Sequence, residues 1–316
     1  YWVERIRHGR ADGTTGKVIP DPAADESDWM AAYAARNWLL AGSRSVFLQD
    51  SNSLIIRPDH LVTVLEYLRT TFPGIERITS YARSQTVARL SDDDLRSIAG
   101  AGLNRIHIGL ESGCDAVLNR VRKGVSQHTH ILAGRKVKAA GIELSEYYMP
   151  GLGGKELSVQ HAVESAEALN RINPDFIRLR TLALPDGLAL AREHADGDFV
   201  SLGDQETARE LLIFLQSLSG ITSRIKSDHI LNLFEEIDGI LPDDQHRMIA
   251  VIHRFLSLHP DEQVVYQIGR RTGLFRRLDD CNDPVLRRQA LEYVEQWGVT
   301  PENVDLICSE LMKRFI

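Results

Sequence analysis

Apolar positions along this chain alternate between two spacings. Short runs that are apolar throughout, or at every second residue, are followed by longer stretches in which apolar residues return every three to four positions. The first pattern predicts strands and the second helices. The spacing predicts a helix over Asp28–Leu40, ended by Ala41-Gly42, and then a strand over Ser45–Gln49. A helix with Leu61, Val64, Leu65 and Leu68 on one face follows, stopped by Phe72-Pro73-Gly74, and then a strand over Arg77–Ser80. Ser91 and Asp94 form a capping box that opens the next helix, which closes at Ala101-Gly102 before a strand over Arg105–Leu110. The pattern continues with a helix over His130–Ala140, a strand over Glu143–Met149, a helix over Val159–Ile172 and a strand over Phe176–Leu182. Beyond Pro185 only helical spacing is legible, in Glu206–Leu218, Ile225–Phe234, Pro242–Leu256, Val285–Trp297 and Pro301–Arg314.

Strands separated by helices at this period are expected to lie parallel in one sheet, because a parallel connection needs a crossover of about a dozen residues or more. The expected class is α/β with an all-helical C-terminal region. The divisions are an irregular N-terminal segment over 1–27, βα units over 28–190 and helices over 191–316. A βα barrel opens on a strand, whereas this array opens on a helix. One strand and its loop are therefore expected upstream of Tyr1; an open sheet that starts with a helix is the alternative. In either arrangement ligands gather at the carboxyl ends of the strands. The strand Arg105–Leu110 runs into Glu111-Ser112-Gly113, and the strand Glu143–Met149 breaks into Pro150-Gly151-Leu152-Gly153-Gly154. Both tips are site candidates.

Composition narrows the choices. A formal net charge of -7 over 316 residues argues against bulk nucleic-acid binding by phosphate neutralisation, and no apolar run is long enough to span a membrane. The cysteines are Cys114, Cys281 and Cys308, odd in number and far apart, so a disulfide framework is not expected and a reducing cytoplasm is. Neither a P-loop nor HExxH occurs. Alternation then sorts faces. Arg105, His107, Gly109 and Glu111 share one face of their strand, and Arg178 and Arg180 share one face of theirs. Outer faces are covered by apolar helix surface, where paired arginines would be costly, so these residues are expected inside. Two guanidinium groups suit a carboxylate or phosphate substrate; ion pairs with Glu111 and Glu143 are the alternative. His107, Asp228 and His229 are further candidates for substrate contact.

Several segments together resemble the radical S-adenosylmethionine superfamily, in the branch of the coproporphyrinogen-oxidase-like and tRNA-modifying radical enzymes. They are Phe47 to Leu54, Thr79 to Arg83, Gly109 to Gly113 with Leu118 and Lys123 to Ser126, and Tyr148 to Gly154 with His161. Ser227 to Leu233 is similar to a motif of uncharacterised members. The resemblance implies a partial (β/α)6 TIM-like barrel. It also implies a 4Fe-4S cluster that cleaves S-adenosylmethionine to a 5′-deoxyadenosyl radical for hydrogen abstraction. It puts Asp50, Ser51 and Asn52 at the methionyl amino group, with Ser80 near that strand tip. It puts Glu111 and Ser112 at the ribose or methionyl groups, and Met149, Pro150 and Gly151 beside adenine, with Leu182 to Leu184 touching the base through main-chain atoms. Arg83 and Lys123 become carboxylate partners. Implied partners are a small, anionic substrate and an electron donor such as flavodoxin or ferredoxin.

The departure from the family is the cluster loop. No CxxxCxxC occurs in the 316 residues, and no metal ligand is assigned among them. The cluster thiolates are expected upstream of Tyr1. The competing expectation is a degenerate binding or scaffold protein that keeps the barrel without a cluster.

Overall fold

The protein is described here by a computed structural model covering Val3, residues 26–49 and residues 51–315. Most of the irregular segment expected over 1–27 lies outside the described residues, as does Asp50. Helix α1 spans Glu26–Leu40 and leads to strand β1, Ser45–Leu48. Helix α2, Pro58–Thr71, leads to β2, Arg77–Ala82, and then α3, Ser84–Arg89, and α4, Asp92–Ala101, lead to β3, Arg105–Glu111. Helices α5, Asp115–Arg120, and α6, Gln127–Ala139, precede β4, Glu143–Tyr148; α7, Gly154–Ile172, precedes β5, Phe176–Leu179. Helix α4 starts with the reciprocal Ser91–Asp94 capping box and ends on Gly102 in the left-handed region, as its sequence signals require.

The seven strands lie side by side in chain order. Each of the first five is parallel to the next, and the last pair is antiparallel. A sheet wound in one direction with every helix crossing back over the same side is a barrel wall. The fold is α/β, a partial TIM-like barrel followed by a mostly helical C-terminal part.

One expectation is corrected here. Ile225–Phe234 is not a helix. It opens with β6, Arg224–Lys226, which extends the parallel sheet, and β7, Gly239–Ile240, then pairs back on it. The sheet therefore runs past residue 190, and the C-terminal region is not all-helical. A strand of three residues is too short to show its period. The turns after it are held by Asn232, whose Oδ1 accepts the Thr181 N–H at 3.0 Å and whose Nδ2 donates to the Leu179 carbonyl at 3.0 Å. The remaining helices are α8, Ala189–Asp196, α9, Asp204–Ser217, α10, Gln245–Leu256, α11, Pro260–Arg271, α12, Pro284–Gln296, and α13, Val304–Met312. No helix among the described residues is long and apolar enough to cross a membrane.

The main core fills the space between the convex side of the sheet and the helices. Ile78, Ile106, Ile108, Leu110, Leu144, Ile177 and Ile225 point into it from the strands, and Leu95, Val137, Leu169 and Phe214 meet them. Tyr148 stacks on Phe214 with ring centroids 4.0 Å apart, which fastens β4 to α9. A smaller cluster of Val264, Ile268, Val299, Val304 and Leu311 closes the C-terminal helices on one another.

Glu146 breaks the apolar pattern of this layer. It shares the convex face of β4 with Leu144 and Tyr148 and is fully buried. Neither carboxyl oxygen meets a hydrogen-bond donor at good geometry among the described residues. Burial, and then the nearby Glu111 carboxylate, hold its carboxyl far above the ordinary glutamate range, so it is neutral in the folded protein. Above that ordinary range the unfolded chain gives up this proton while the folded chain keeps it, so raising the pH favours unfolding. Buried Glu210, pushed up to about 7, acts in the same direction. Buried His107 and His161, pushed down to about 4, and His130, pushed down to about 3, act in the opposite direction below the ordinary imidazole range, so the wild-type curve alone does not isolate the carboxyl. The expected signature lies in the comparison by urea denaturation: Glu146→Leu gains stability relative to the wild type as the pH rises from about 5 toward 8, reaching about 1–2 kcal/mol at the upper end. A difference between the two proteins that stays constant over this range would contradict the neutral carboxyl.

Candidate active site at the strand tips

Strand β3 ends in an unusual turn. The Ser112 N–H donates to the Leu110 carbonyl at 2.7 Å, two residues back, and Glu111 between them has φ +59°. This is a γ-turn in its uncommon positive-φ form, a backbone that L residues with a side chain adopt at a cost of about 1–3 kcal/mol. The pairing of β3 with β4 shifts register at the same place: Gly109 lies opposite Tyr147 and Glu111 opposite Tyr148. The Met149 N–H then donates to the Glu111 carbonyl at 3.0 Å, so the two tips hold each other.

The turn folds the Glu111 carboxylate back over Gly109. A Cβ built on Gly109 would collide with Glu111 Oε1 and lie 3.2 Å from Lys123 Nζ. The carboxylate and ammonium thus occupy the space that a side chain at Gly109 would take. Lys123 Nζ donates to Glu111 Oε1 at 3.2 Å, and both side chains keep partial exposure, 31% and 21%. Gly113 has a different reason: a Cβ there would come within 2.6 Å of the Glu164 carbonyl of α7, so only glycine lets the chain pass.

Beneath this surface a buried relay joins the two motifs. The His161 Nε2–H donates to the Met149 carbonyl at 3.0 Å, which leaves Nδ1 to accept from the Ser112 hydroxyl at 2.8 Å. Burial pushes the His161 imidazole down to about 4, so the ring stays neutral and this tautomer is retained at neutral pH. Ser112 Oγ also accepts the Cys114 N–H at 2.9 Å. Glu210 of α9 accepts the Gly151 N–H at 2.7 Å, the Ser158 hydroxyl at 2.7 Å and the Tyr148 hydroxyl at 3.3 Å. The C-terminal part therefore grips the loop after β4 from below.

These contacts sort the residues expected to bind the cofactor. Glu111 and Lys123 come together at a partly open surface. Ser112 is fully buried and lies under that surface rather than on it. Ser80 is corrected as a contact residue: β2 runs on to Ala82, which puts Ser80 in mid-strand on the buried helix-facing side, where its hydroxyl donates to the Tyr81 carbonyl at 3.0 Å. Asn52 is occupied as a clamp, its Oδ1 accepting the Arg83 N–H at 3.0 Å and its Nδ2 donating to Thr86 Oγ1 at 3.0 Å. Ser51 and the Arg83 side chain are exposed nearby, and Asp50 lies outside the described residues.

Met149, Pro150 and Gly151 have their backbone groups engaged internally. Besides the bonds already given, the Pro150 carbonyl accepts the Leu182 N–H at 2.9 Å and the Gly151 carbonyl accepts the Gly154 N–H at 3.0 Å. What the loop offers a flat base is therefore apolar surface, chiefly the partly exposed Met149. A cleft of about 510 Å³ opens beside it, between Pro150–Gly151, Thr181 to Leu184 and the side chains of α8 and α13.

The concave face of the barrel carries rings and cations. His107 lies between Phe47 and Tyr147, with centroids 5.9 and 5.8 Å away, and Tyr81 lies at 5.6 Å. Burial, together with Arg178, Arg105 and Arg180, lowers His107 to about 4, so it is a neutral ring at neutral pH. Arg180 sits 5.0 Å over Tyr147 and Arg105 sits 4.5 Å over Phe176. The expected carboxylate partners of the arginine pair are corrected. Glu143 takes Arg105 at 2.6 Å and Glu111 takes Lys123, whereas Arg178 and Arg180 both donate to Asp228, at 2.7 and 2.9 Å. The short β6 carries the loop with Asp228 to the barrel mouth, which spacing alone did not show. His229 follows it; burial, then Arg180, lower its imidazole.

Sequence reasoning missed Glu210 and Glu146. Each left a signal: Glu210 stands in the apolar stripe of Thr207, Ala208, Leu211 and Phe214, and Glu146 stands in the apolar phase of its strand.

No family model matches the chain. It is 23% identical over 142 residues to a tRNA uridine(34) acetyltransferase of Methanocaldococcus infernus, across 44% of this chain and 26% of that protein. Among solved structures it is similar to the archaeal Elp3 of Methanocaldococcus infernus with an N-terminal deletion, at 15% identity and a TM-score of 0.49, over 63% of this chain and 53% of that one. It is also similar to coproporphyrinogen III oxidase (HemN) from Escherichia coli, described as a radical SAM enzyme, at 15% identity and a TM-score of 0.43, over 54% of this chain and 38% of that one. The chain thus spans about a quarter of the curated relative and about half of the Elp3 structure. At these scores the barrel description rests on the strand order and register of the protein itself.

The backbone at Glu111 can be tested without a ligand. Glu111→Gly is expected to be about 1 kcal/mol more stable than Glu111→Ala in chemical denaturation, because only glycine adopts the left-handed region freely. Equal stabilities would contradict the turn.

Proposed function

We propose that this chain is the S-adenosylmethionine-binding barrel of a radical enzyme that abstracts hydrogen from a small anionic substrate. The observation that carries the reading is the Glu111–Lys123 pair held over Gly109 at the mouth of the barrel. A carboxylate and an ammonium side by side match, with opposite charges, the amino-acid head of S-adenosylmethionine. Glu111 offers acceptors to the α-ammonium or the ribose hydroxyls, and Lys123 offers a donor to the α-carboxylate. The apolar Met149 surface and the cleft beside Leu182 suit the adenine ring. The residues present fit this cosubstrate, which, together with a reduced iron-sulfur cluster, supplies a carbon-centred radical. The protein's own share is to fix the nucleoside between the two strand tips and to keep the neutral rings of His107, Tyr81 and Tyr147 around the reacting region, where they limit water.

The described residues do not fit the cluster. No group of three His, Cys, Asp or Glu residues able to hold a metal occurs among them. Burial raises the thiols of Cys114 and Cys308 and pushes Cys281 up to about 12, the opposite of a thiolate ligand. In the proposal the cluster's ligands lie outside residues 1–316. The missing thiolate set also favours a second reading, a barrel that binds S-adenosylmethionine without radical chemistry. Anaerobic reconstitution of the full-length protein with iron and sulfide, followed by S-adenosylmethionine and a low-potential reductant, separates the two: 5′-deoxyadenosine forms only under the first.

Both readings require the nucleotide site. Calorimetry on this chain is expected to show saturable S-adenosylmethionine binding that weakens about ten-fold in Glu111→Gln and in Lys123→Met. Binding unchanged in both variants, or none in the wild type, would contradict the site.

A further inference from the structure

On the concave side of β5 and β6, cations outnumber carboxylates by two. Arg178 projects from β5 and Arg180 from the residue just past its end, and Arg224 and Lys226 project from β6; Arg178 and Lys226 are register partners on adjacent strands. Each strand's pair of cations shares a single carboxylate. Asp228 gives one oxygen to Arg178 at 2.7 Å and the other to Arg180 at 2.9 Å. Asp238 gives one oxygen to Arg224 at 2.9 Å and the other to Lys226 at 2.6 Å. The other charged groups on the same wall do not offset the excess. Arg105 and Glu143 neutralise each other, and His107 is neutral. Arg178 Nε is buried and has no hydrogen-bond partner among the described residues. Arg178, Arg180 and Lys226 are only 21–26% exposed, so water does not fully screen the surplus.

Two clusters, each one negative charge short and joined through neighbouring strands, form a receptor for a doubly charged anion. This deepens the proposed function and rests on its reading of the barrel interior as the substrate site. We infer that the substrate carries two negative charges close together, as a dicarboxylate or a phosphate monoester, and that Arg178 and Lys226 receive them. Asp228 and Asp238 hold the four cations apart and aimed until the anion arrives. A monoanion meets one cluster only and leaves the other short.

The test uses this chain and small probes: glutarate, its monoamide glutaramate, and methyl phosphate, titrated by calorimetry at low and moderate salt. Glutarate is expected to bind about ten-fold tighter than the monoamide, and raised salt to narrow the gap. Lys226→Gln is expected to remove the preference while leaving the monoamide's affinity nearly unchanged, and Arg178→Gln is expected to weaken both probes. Arg96→Gln, an exposed residue of α4 paired with Asp93, serves as the control, and thermal midpoints of all variants establish folding. Methyl phosphate binding tighter than glutarate would assign the phosphate class; the reverse would assign the dicarboxylate class. Equal affinity for glutarate and monoamide overturns the inference, as does a preference that survives in both variants or no saturable binding of any probe. Displacement of glutarate by S-adenosylmethionine also overturns it, because the cations would then serve the cosubstrate's carboxylate. S-adenosylmethionine binding, measured at Glu111 and Lys123, stands or falls separately.

Discussion

The turn at Glu111 is the constraint on which the site depends. A side-chain-bearing residue in the left-handed region is costly, and this one is held by the Ser112 N–H to Leu110 bond, by the Met149 N–H on its own carbonyl and by Lys123 on its carboxylate. With an ordinary strand backbone the Glu111 side chain would stand upright. With the turn it lies back over Gly109. Strain held in place by surrounding contacts is a frequent mark of function, and here it sets the direction of the carboxylate that pairs with Lys123.

What holds the turn lies mostly out of sight. The exit of β3 and the loop after β4 are bound through His161, which can serve both only as the neutral Nε2–H tautomer. Burial ensures that state. Glu210 continues the connection to the C-terminal part, where Tyr148 and Phe214 also stack. The helices beyond residue 190 are thus part of the scaffold of the strand tips. The two strand-tip motifs cohere because one buried network satisfies both, and its cost is a carboxyl group that prefers its proton near neutrality.

The strand and helix order of the barrel was legible because each strand has a convex face of Ile, Leu or Tyr under helices that repeat apolar residues every three to four positions. The Glu111 tip was legible for the same reason, through its place at the end of an apolar strand. Three things were not legible. The three-residue β6 has no period to detect, so the Asp228 loop could not be brought to Arg178 and Arg180. Ser80 and Ser112 entered as cofactor residues through the family resemblance, but the side a residue faces depends on where its strand stops, and β2 continues two residues beyond Ser80. The closure of the backbone at Met149–Gly151 depends on residues 12 to 59 positions away, which no local pattern contains.

The central claim is that the two strand tips enclose a sulfonium nucleoside. Hydrogen exchange of this chain with and without S-adenosylmethionine tests it most directly. Slower exchange is predicted in peptides covering residues 107–113 and 147–154, with little change in α12. Exchange at both tips that is indifferent to saturating S-adenosylmethionine, or protection confined to the C-terminal helices, would contradict the account.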